Sequence, residues 1–122
     1  MDRGKENTLH YLIPCRKGIL LTSYLRLPRF LVSMALSNDA KLLYALLLDR
    51  AGISAENGFT EPDGTISLYF TLNEAKEKLH KSRQVATRAF HELEHRGLIV
   101  RRKQGLGRPA IITLNIPQEE GK

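Results

Sequence analysis

The residues best suited to chemistry on a partner are cations at short, regular spacing. Between Lys76 and Arg108 stand ten Lys/Arg and three Glu, a net of +7 by subtraction, whereas the whole 122-residue chain carries only +6. The remainder is close to neutral, and such a concentrated positive field is the electrostatic footprint of a polyanion binder. Two groups stand out within it. Arg83, Gln84, Thr87, Arg88 and His91 share one face if their segment is helical, with Lys81 and Ser82 just ahead of them. Arginine pairs bidentately with guanine and glutamine with adenine in the major groove, so this set can read base edges. The second group is Arg101-Arg102-Lys103-Gln104 with Arg108. Strand residues alternate faces, so the three consecutive cations cannot all meet one surface; Arg102, or else its two neighbours, would face phosphate together with Arg108. Gly105 and Gly107 permit a tight turn and a close backbone approach to a duplex.

Other candidate chemistry is weaker. His91-Glu92-Leu93-Glu94-His95 matches H-E-x-x-H, which in zinc hydrolases puts two histidines on one helix face beside a general base. Here Phe90 and Leu93 of the same short helix are needed for the core, so no cleft is built over it. The acids further along, Glu119 and Glu120, fall in a tail and make poor third ligands. Gly105-Leu106-Gly107 lacks the third glycine and following helix of a nucleotide-binding fingerprint. His10 and His80 have no partners at ligand spacing, and Cys15 has no neighbouring base. The expectation is a binding protein without catalytic residues, metal or cofactor.

The elements that must position these residues are legible from Thr71 onward. Thr71-Leu72-Asn73-Glu74 is a capping box, and the helix it opens has Leu72, Ala75 and Leu79 on one face and stops at His80-Lys81. Ser82 caps the next helix, whose predicted buried face is Val85, Ala89, Phe90 and Leu93. Gly97 ends it, strands follow over about 98–103 and 110–116, and Pro117 closes the second. A helix-turn-helix followed by a basic hairpin can set one helix in the major groove and a loop on the flanking backbone.

Upstream, Ser37 caps a helix over 36–51 with Leu36, Ala40, Leu43 and Leu47 in a stripe widened by Leu46, predicted to end at Asp49-Arg50-Ala51-Gly52. Asn57-Gly58 and Pro62-Asp63-Gly64 are turn signatures, and 66–70 is extended. Tyr11-Leu12-Ile13-Pro14 and Tyr24-Leu25-Arg26-Leu27-Pro28 also look extended, because a residue before proline is pushed from helical angles. The fold class expected is α+β: a winged helix-turn-helix with an N-terminal extended arm. Its divisions are an arm or loose hairpin over 1–35 packing on the core, a winged-helix DNA-binding domain over 36–117, and a frayed tail or linker over 118–122.

Length and composition suit one domain with a real core, the hydrophobic content being 42%. A single cysteine excludes an internal disulfide and fits a reducing cytoplasm. The polar N-terminus shows no signal peptide, and the longest apolar stretch, around 42–48, is far short of the roughly 20 residues needed to span a bilayer. These features predict a cytoplasmic protein without a membrane partner.

Several of these segments also match a known family. Leu27-Pro28-Arg29-Phe30, the run from Leu36 through Ala40-Lys41-Leu42-Leu43-Tyr44 to Arg50, Ile53 to Phe59, Asp63-Gly64, Phe90-His91-Glu92-Leu93, Gly97-Leu98-Ile99 and Gln104-Gly105-Leu106-Gly107-Arg108-Pro109 carry the match. Together, over about residues 11–116, the chain resembles the N-terminal domain of the RepA-type plasmid replication initiators of Gram-positive bacteria. The resemblance implies a winged helix that binds repeated sites in double-stranded DNA at a plasmid or mobile-element origin, commonly as a dimer. It further implies that host replication proteins are met through a separate C-terminal domain. No such domain is in this sequence, which would make it a fragment or a short stand-alone relative that binds DNA without initiating replication. His80 departs from the small polar residue or cysteine expected in that turn.

Two alternatives use the same fold: a transcriptional regulator, and a protein–protein module, to which a cation-rich helix face is poorly suited. Homodimerisation is also expected from composition. Tyr11, Leu12, Ile13, Leu20, Leu21, Tyr24, Leu25, Phe30 and Leu31 are more apolar surface than a free arm keeps in water. They would either fold back on their own domain or form a two-fold interface with part of the 36–49 helix.

Overall fold

The computed structural model describes residues 12–19 and 21–118. The residues expected as the start of the arm, among them His10, Tyr11 and Leu20, and the tail residues 119–122 lie outside this range. Ser37 has extended backbone angles and its hydroxyl accepts from the Ala40 amide at 3.1 Å, satisfying an orphan donor of helix α2 (Asn38–Glu56). One face of α2 buries Ala40, Leu43, Tyr44, Leu47 and Ala51. Helix α4 (Arg83–His95) packs against both α2 and α3 (Leu72–Leu79), so Phe90 and Leu93, fully enclosed, lie at the middle of the core. Helix α1 (Arg29–Val32) is a single turn ahead of α2.

Three expectations are corrected. The second helix does not stop at Gly52; it continues to Glu56 and ends at Asn57-Gly58, where Gly58 takes φ 83°. A glycine inside a helix costs only about 1 kcal/mol, and burial of Ala51 and Ser54 on either side of it offsets that. The buried face of α4 uses Ala86, while Val85 is half-exposed at the edge of the stripe. Finally, the segment before residue 35 is not extended throughout. Pro28, with φ −59°, leads into α1, whose Leu31 is completely buried. The Phe30 ring meets Tyr44 edge-to-face at 5.7 Å, and Lys41 Nζ donates to the Val32 carbonyl at 3.0 Å. Residues 12–19 are exposed.

Strands β1 (Ile99–Arg102) and β2 (Ile111–Leu114) pair antiparallel, with Ile99 opposite Leu114 and Arg102 opposite Ile111. Leu68 and Ile112 exchange backbone hydrogen bonds at 3.0 and 2.8 Å, so the expected extended segment 66–70 meets the other edge of β2. The hairpin base is tied down from both sides. Tyr44 donates its hydroxyl to the Asn115 carbonyl at 2.6 Å, and Asn115 Nδ2 donates to the Gly97 carbonyl at 2.7 Å. Helices α1 to α4 followed by a two-stranded antiparallel hairpin make an α+β winged helix.

If α1 is part of the core, Leu31→Ala should cost about 2–5 kcal/mol, as truncation of an enclosed leucine does. Val32→Ala, at an exposed position one residue on, should stay within roughly 0.5 kcal/mol. Urea denaturation of the two variants makes the comparison.

Candidate nucleic-acid interface

The turn between α3 and α4 sets the direction of the functional face. Thr71 Oγ1 accepts from the Glu74 amide at 3.0 Å, and Glu74 Oε1 accepts from the Thr71 amide at 3.1 Å, completing the expected capping box. At the other end of α3, His80 takes φ 57° and ψ 44°, the position that glycine most often fills at a helix C-terminus. Histidine is among the side chains that enter this left-handed region more readily than most. Two residues later Ser82 Oγ accepts from the Val85 amide at 3.2 Å and starts α4. The chain thus reverses between two capped helices within three residues.

The outer face of α4 is cationic and free. Lys81, Ser82, Arg83, Gln84, Arg88 and His91 are exposed and Thr87 is half-buried. Among the described residues, the side chains of Lys81, Arg83, Gln84 and Arg88 have no hydrogen-bond or ion-pair partner. Ser82 is occupied as the cap, which leaves its hydroxyl proton available to an outside acceptor.

The acids of the same helix are turned the other way. Glu92 Oε1 and Oε2 accept from the Ser37 amide and hydroxyl at 2.8 and 2.7 Å, joining α4 to the N-terminus of α2. A carboxylate at a helix N-terminus also complements the helix dipole. Both oxygens of the H-E-x-x-H glutamate are therefore taken by structural hydrogen bonds. Glu94 accepts two hydrogen bonds from the Arg101 guanidinium, at 3.0 and 2.9 Å.

That pair answers the question left by strand alternation. Ile99 and Arg101 point inward from β1, Val100 and Arg102 outward. Arg101 lies with its guanidinium carbon 4.4 Å from the centre of the Phe90 ring, over its face, and is bidentate on Glu94. It fastens the wing to α4, while Arg102 and Lys103 are exposed. Arg102 has one long contact, 3.4 Å to Glu61, between two well-exposed side chains. Gln104, expected at the nucleic-acid surface, donates from Nε2 to the Pro109 carbonyl at 2.9 Å and closes the neck of the wing loop. Arg108 is exposed at that loop, beside Leu106. Leu106, between the two glycines, is fully exposed, a position that the spacing of cations does not single out.

A similar clamp joins α2 to α3. Arg50 Nη2 reaches Glu74 Oε2 at 2.6 Å while the guanidinium lies 4.8 Å from the centre of the Phe70 ring. In both clamps the hydrogen bond from arginine holds the glutamate carboxyl below its ordinary value.

A helix pair in a tight turn, with a basic hairpin fastened beside it, defines a winged-helix module that offers two adjacent cationic surfaces. Residues 23–119 match the family described as "Replication initiator protein A (RepA) N-terminus", and the chain belongs to that family. Its solved structural relatives are similar at the level of the whole module. A chain of a Rep–DNA complex is 28% identical with a TM-score of 0.69, covering 80% of this chain and 78% of that one. The N-terminal domain of a DNA-binding protein is 25% identical with a TM-score of 0.70, covering 86% and 88%. An MDR initiator is 27% identical with a TM-score of 0.66, covering 81% of each. A curated relative, a 41 kDa protein of Lactobacillus helveticus, is 35% identical over 72 residues, 59% of this chain. That alignment spans 20% of the relative's length. No helix among the described residues is long and apolar enough to cross a membrane.

The clamp has a measurable sign. Because the Glu94 carboxyl is held below the ordinary glutamate value of 4.5, its contribution to stability is complete above that pH and is lost as pH falls below it. Acidification below pH 4.5 should therefore destabilise the native chain more steeply than a Glu94→Gln variant. Arg101→Ala should cost roughly 1–2 kcal/mol, the ion pair and the ring contact together, whereas Arg102→Ala should be nearly neutral. Chemical denaturation across a pH series reads both effects.

Proposed function

We propose that this chain binds double-stranded DNA sequence-specifically, at repeated sites of a plasmid or mobile-element replication origin, as the N-terminal module of a replication initiator. The observation that carries the reading is the sorting of charge on α4 and the wing. Glu92 and Glu94 are held by Ser37 and Arg101, while Lys81, Arg83, Arg88, Lys103 and Arg108 project outward. In this reading Arg83, Gln84, Thr87 and Arg88 meet base edges in the major groove. Lys81, Ser82, Arg102, Lys103 and Arg108 hold the backbone, while Arg101 and Gln104 act from behind by fixing the wing. In this reading the module works by binding. Family membership supports the replication role, and the likeness to a chain of a Rep–DNA complex supports duplex DNA as the partner. Contacts with host replication proteins would belong to other parts of a full-length initiator.

Fluorescence anisotropy on duplexes tiled across the DNA flanking the gene tests this. Specific binding to tandem repeats supports the origin reading, a promoter palindrome would favour a transcriptional regulator, and no binding at low salt would exclude both. Log affinity should fall with log salt at about −0.9 per phosphate contact, so four wing and turn cations give a slope of roughly −3 to −4. Arg83→Ala, Gln84→Ala and Arg88→Ala should each erode discrimination between cognate and scrambled duplexes by about 1–3 kcal/mol. Lys103→Ala and Arg108→Ala should weaken both duplexes alike. Identical behaviour of the two sets would contradict the division into a reading helix and a positioning wing.

We also propose that the chain pairs with a second copy through the arm and the outer face of α2. Leu21, Tyr24, Leu48 and Ile53 border a groove that Arg26, Asp49 and Glu56 also line, and Leu21 and Tyr24 are 76% and 65% exposed. Exposed apolar side chains interleaved with both signs of charge suit an isologous contact that spaces two recognition helices. Light scattering at tens of micromolar should give the dimer mass, and Tyr24→Asp with Ile53→Asp should give the monomer. A wild-type monomer whose melting does not vary with concentration would contradict a stable dimer in the absence of DNA.

A further inference from the structure

We propose that Leu106, at the tip of the wing, enters the minor groove of the bound duplex and wedges against a single base step; this rests on the DNA-binding reading above. Leu106 is 102% exposed, as open to water as a side chain can be. Isolated exposed leucines are ordinary on protein surfaces, so exposure alone carries nothing. Its setting does. Gly105 and Gly107 take φ 127° and 76°, angles that disfavour other residues, and together they turn the chain so that the leucine between them is held at the outermost point.

The loop is braced in that shape. Gln104 Nε2 donates to the Pro109 carbonyl at 2.9 Å, the Arg108 amide donates to the Gly105 carbonyl at 3.2 Å, and Pro109 restricts Arg108. Presenting the isobutyl group therefore costs little further ordering when a partner arrives.

The neighbours identify the partner's chemistry. Lys103 and Arg108 are exposed on the same loop, so an apolar point is carried between cations. The minor groove of a duplex matches that pattern, because it presents sugar walls and base edges between two rows of phosphate, in a cleft about 6 Å wide. Leucine is among the side chains that open base steps from that groove. The cost of opening is lowest at pyrimidine–purine steps, so the wing would add a preference for TA or CA at a position beyond the footprint of α4. Beyond the phosphate contacts expected of its cations, the wing thereby takes a part in site selection and in bending the DNA.

The test uses the full chain and a short duplex that the wild-type protein enriches from a random pool. The fluorescent adenine analogue 2-aminopurine is placed at successive positions along it. Wild type should raise the emission at one step, as unstacking does, and energy transfer between end labels should report a bend at the same place. Leu106→Ala should abolish the emission rise and weaken binding on the order of tenfold. Leu106→Met, which keeps an apolar wedge, should restore both. Unchanged emission and affinity in Leu106→Ala would overturn the proposal. So would a loss confined to the binding of a second protomer, which would place the leucine on a neighbouring copy. If wild type enriches no duplex, the DNA-binding reading itself has failed, and the wedge falls with it.

Discussion

The working geometry of this molecule depends on where one guanidinium sits. Arg101 is inserted between the Phe90 ring and the Glu94 carboxylate, so β1 is fastened to α4 by a stacked, bidentate contact rather than by apolar packing alone. Arginine suits this place because its planar fork matches a carboxylate and its face matches an aromatic ring. A lysine would supply the charge without the geometry. Two cationic surfaces, the outer face of α4 and the wing, are thereby held in a fixed relation.

The same economy runs through α4. Its acids serve the interior: Glu92 caps α2 through Ser37, and Glu94 holds the wing. Its apolar residues Ala86, Ala89, Phe90 and Leu93 make the core, and its free cations face outward. One thirteen-residue helix is thus core, scaffold and exposed cationic surface at once. The glutamate of the H-E-x-x-H pattern is held by the amide and hydroxyl of Ser37 at the start of α2.

Two arginine clamps built alike, Arg50 with Glu74 and Phe70, and Arg101 with Glu94 and Phe90, brace the helix-turn-helix from opposite ends. Between them the turn is short and its His80 backbone is left-handed. Little freedom remains in the direction of α4. Among the described residues, the outer face of α4, the wing tip and the groove between residues 21–26 and α2 are exposed.

The features legible in the chain are those whose signals are local. The capping box at Thr71, the serine caps at Ser37 and Ser82, the helical stripes and the glycine-flanked hairpin are all set by backbone hydrogen bonding and side-chain period over a few residues. The concentration of positive charge between Lys76 and Arg108 was equally legible. The tertiary structure decided what depended on distant contacts. Gly52 stays helical because Ala51 and Ser54 are buried against other elements, which no local glycine rule registers. Leu31 belongs to the core because α2 and its Tyr44 offer a surface for α1, whereas composition alone made it part of an arm. Of three consecutive cations, alternation could say only that they divide. Which one turns inward was settled by the aromatic ring and carboxylate that the fold brings beneath Arg101, because a cation goes where its charge is both paired and packed.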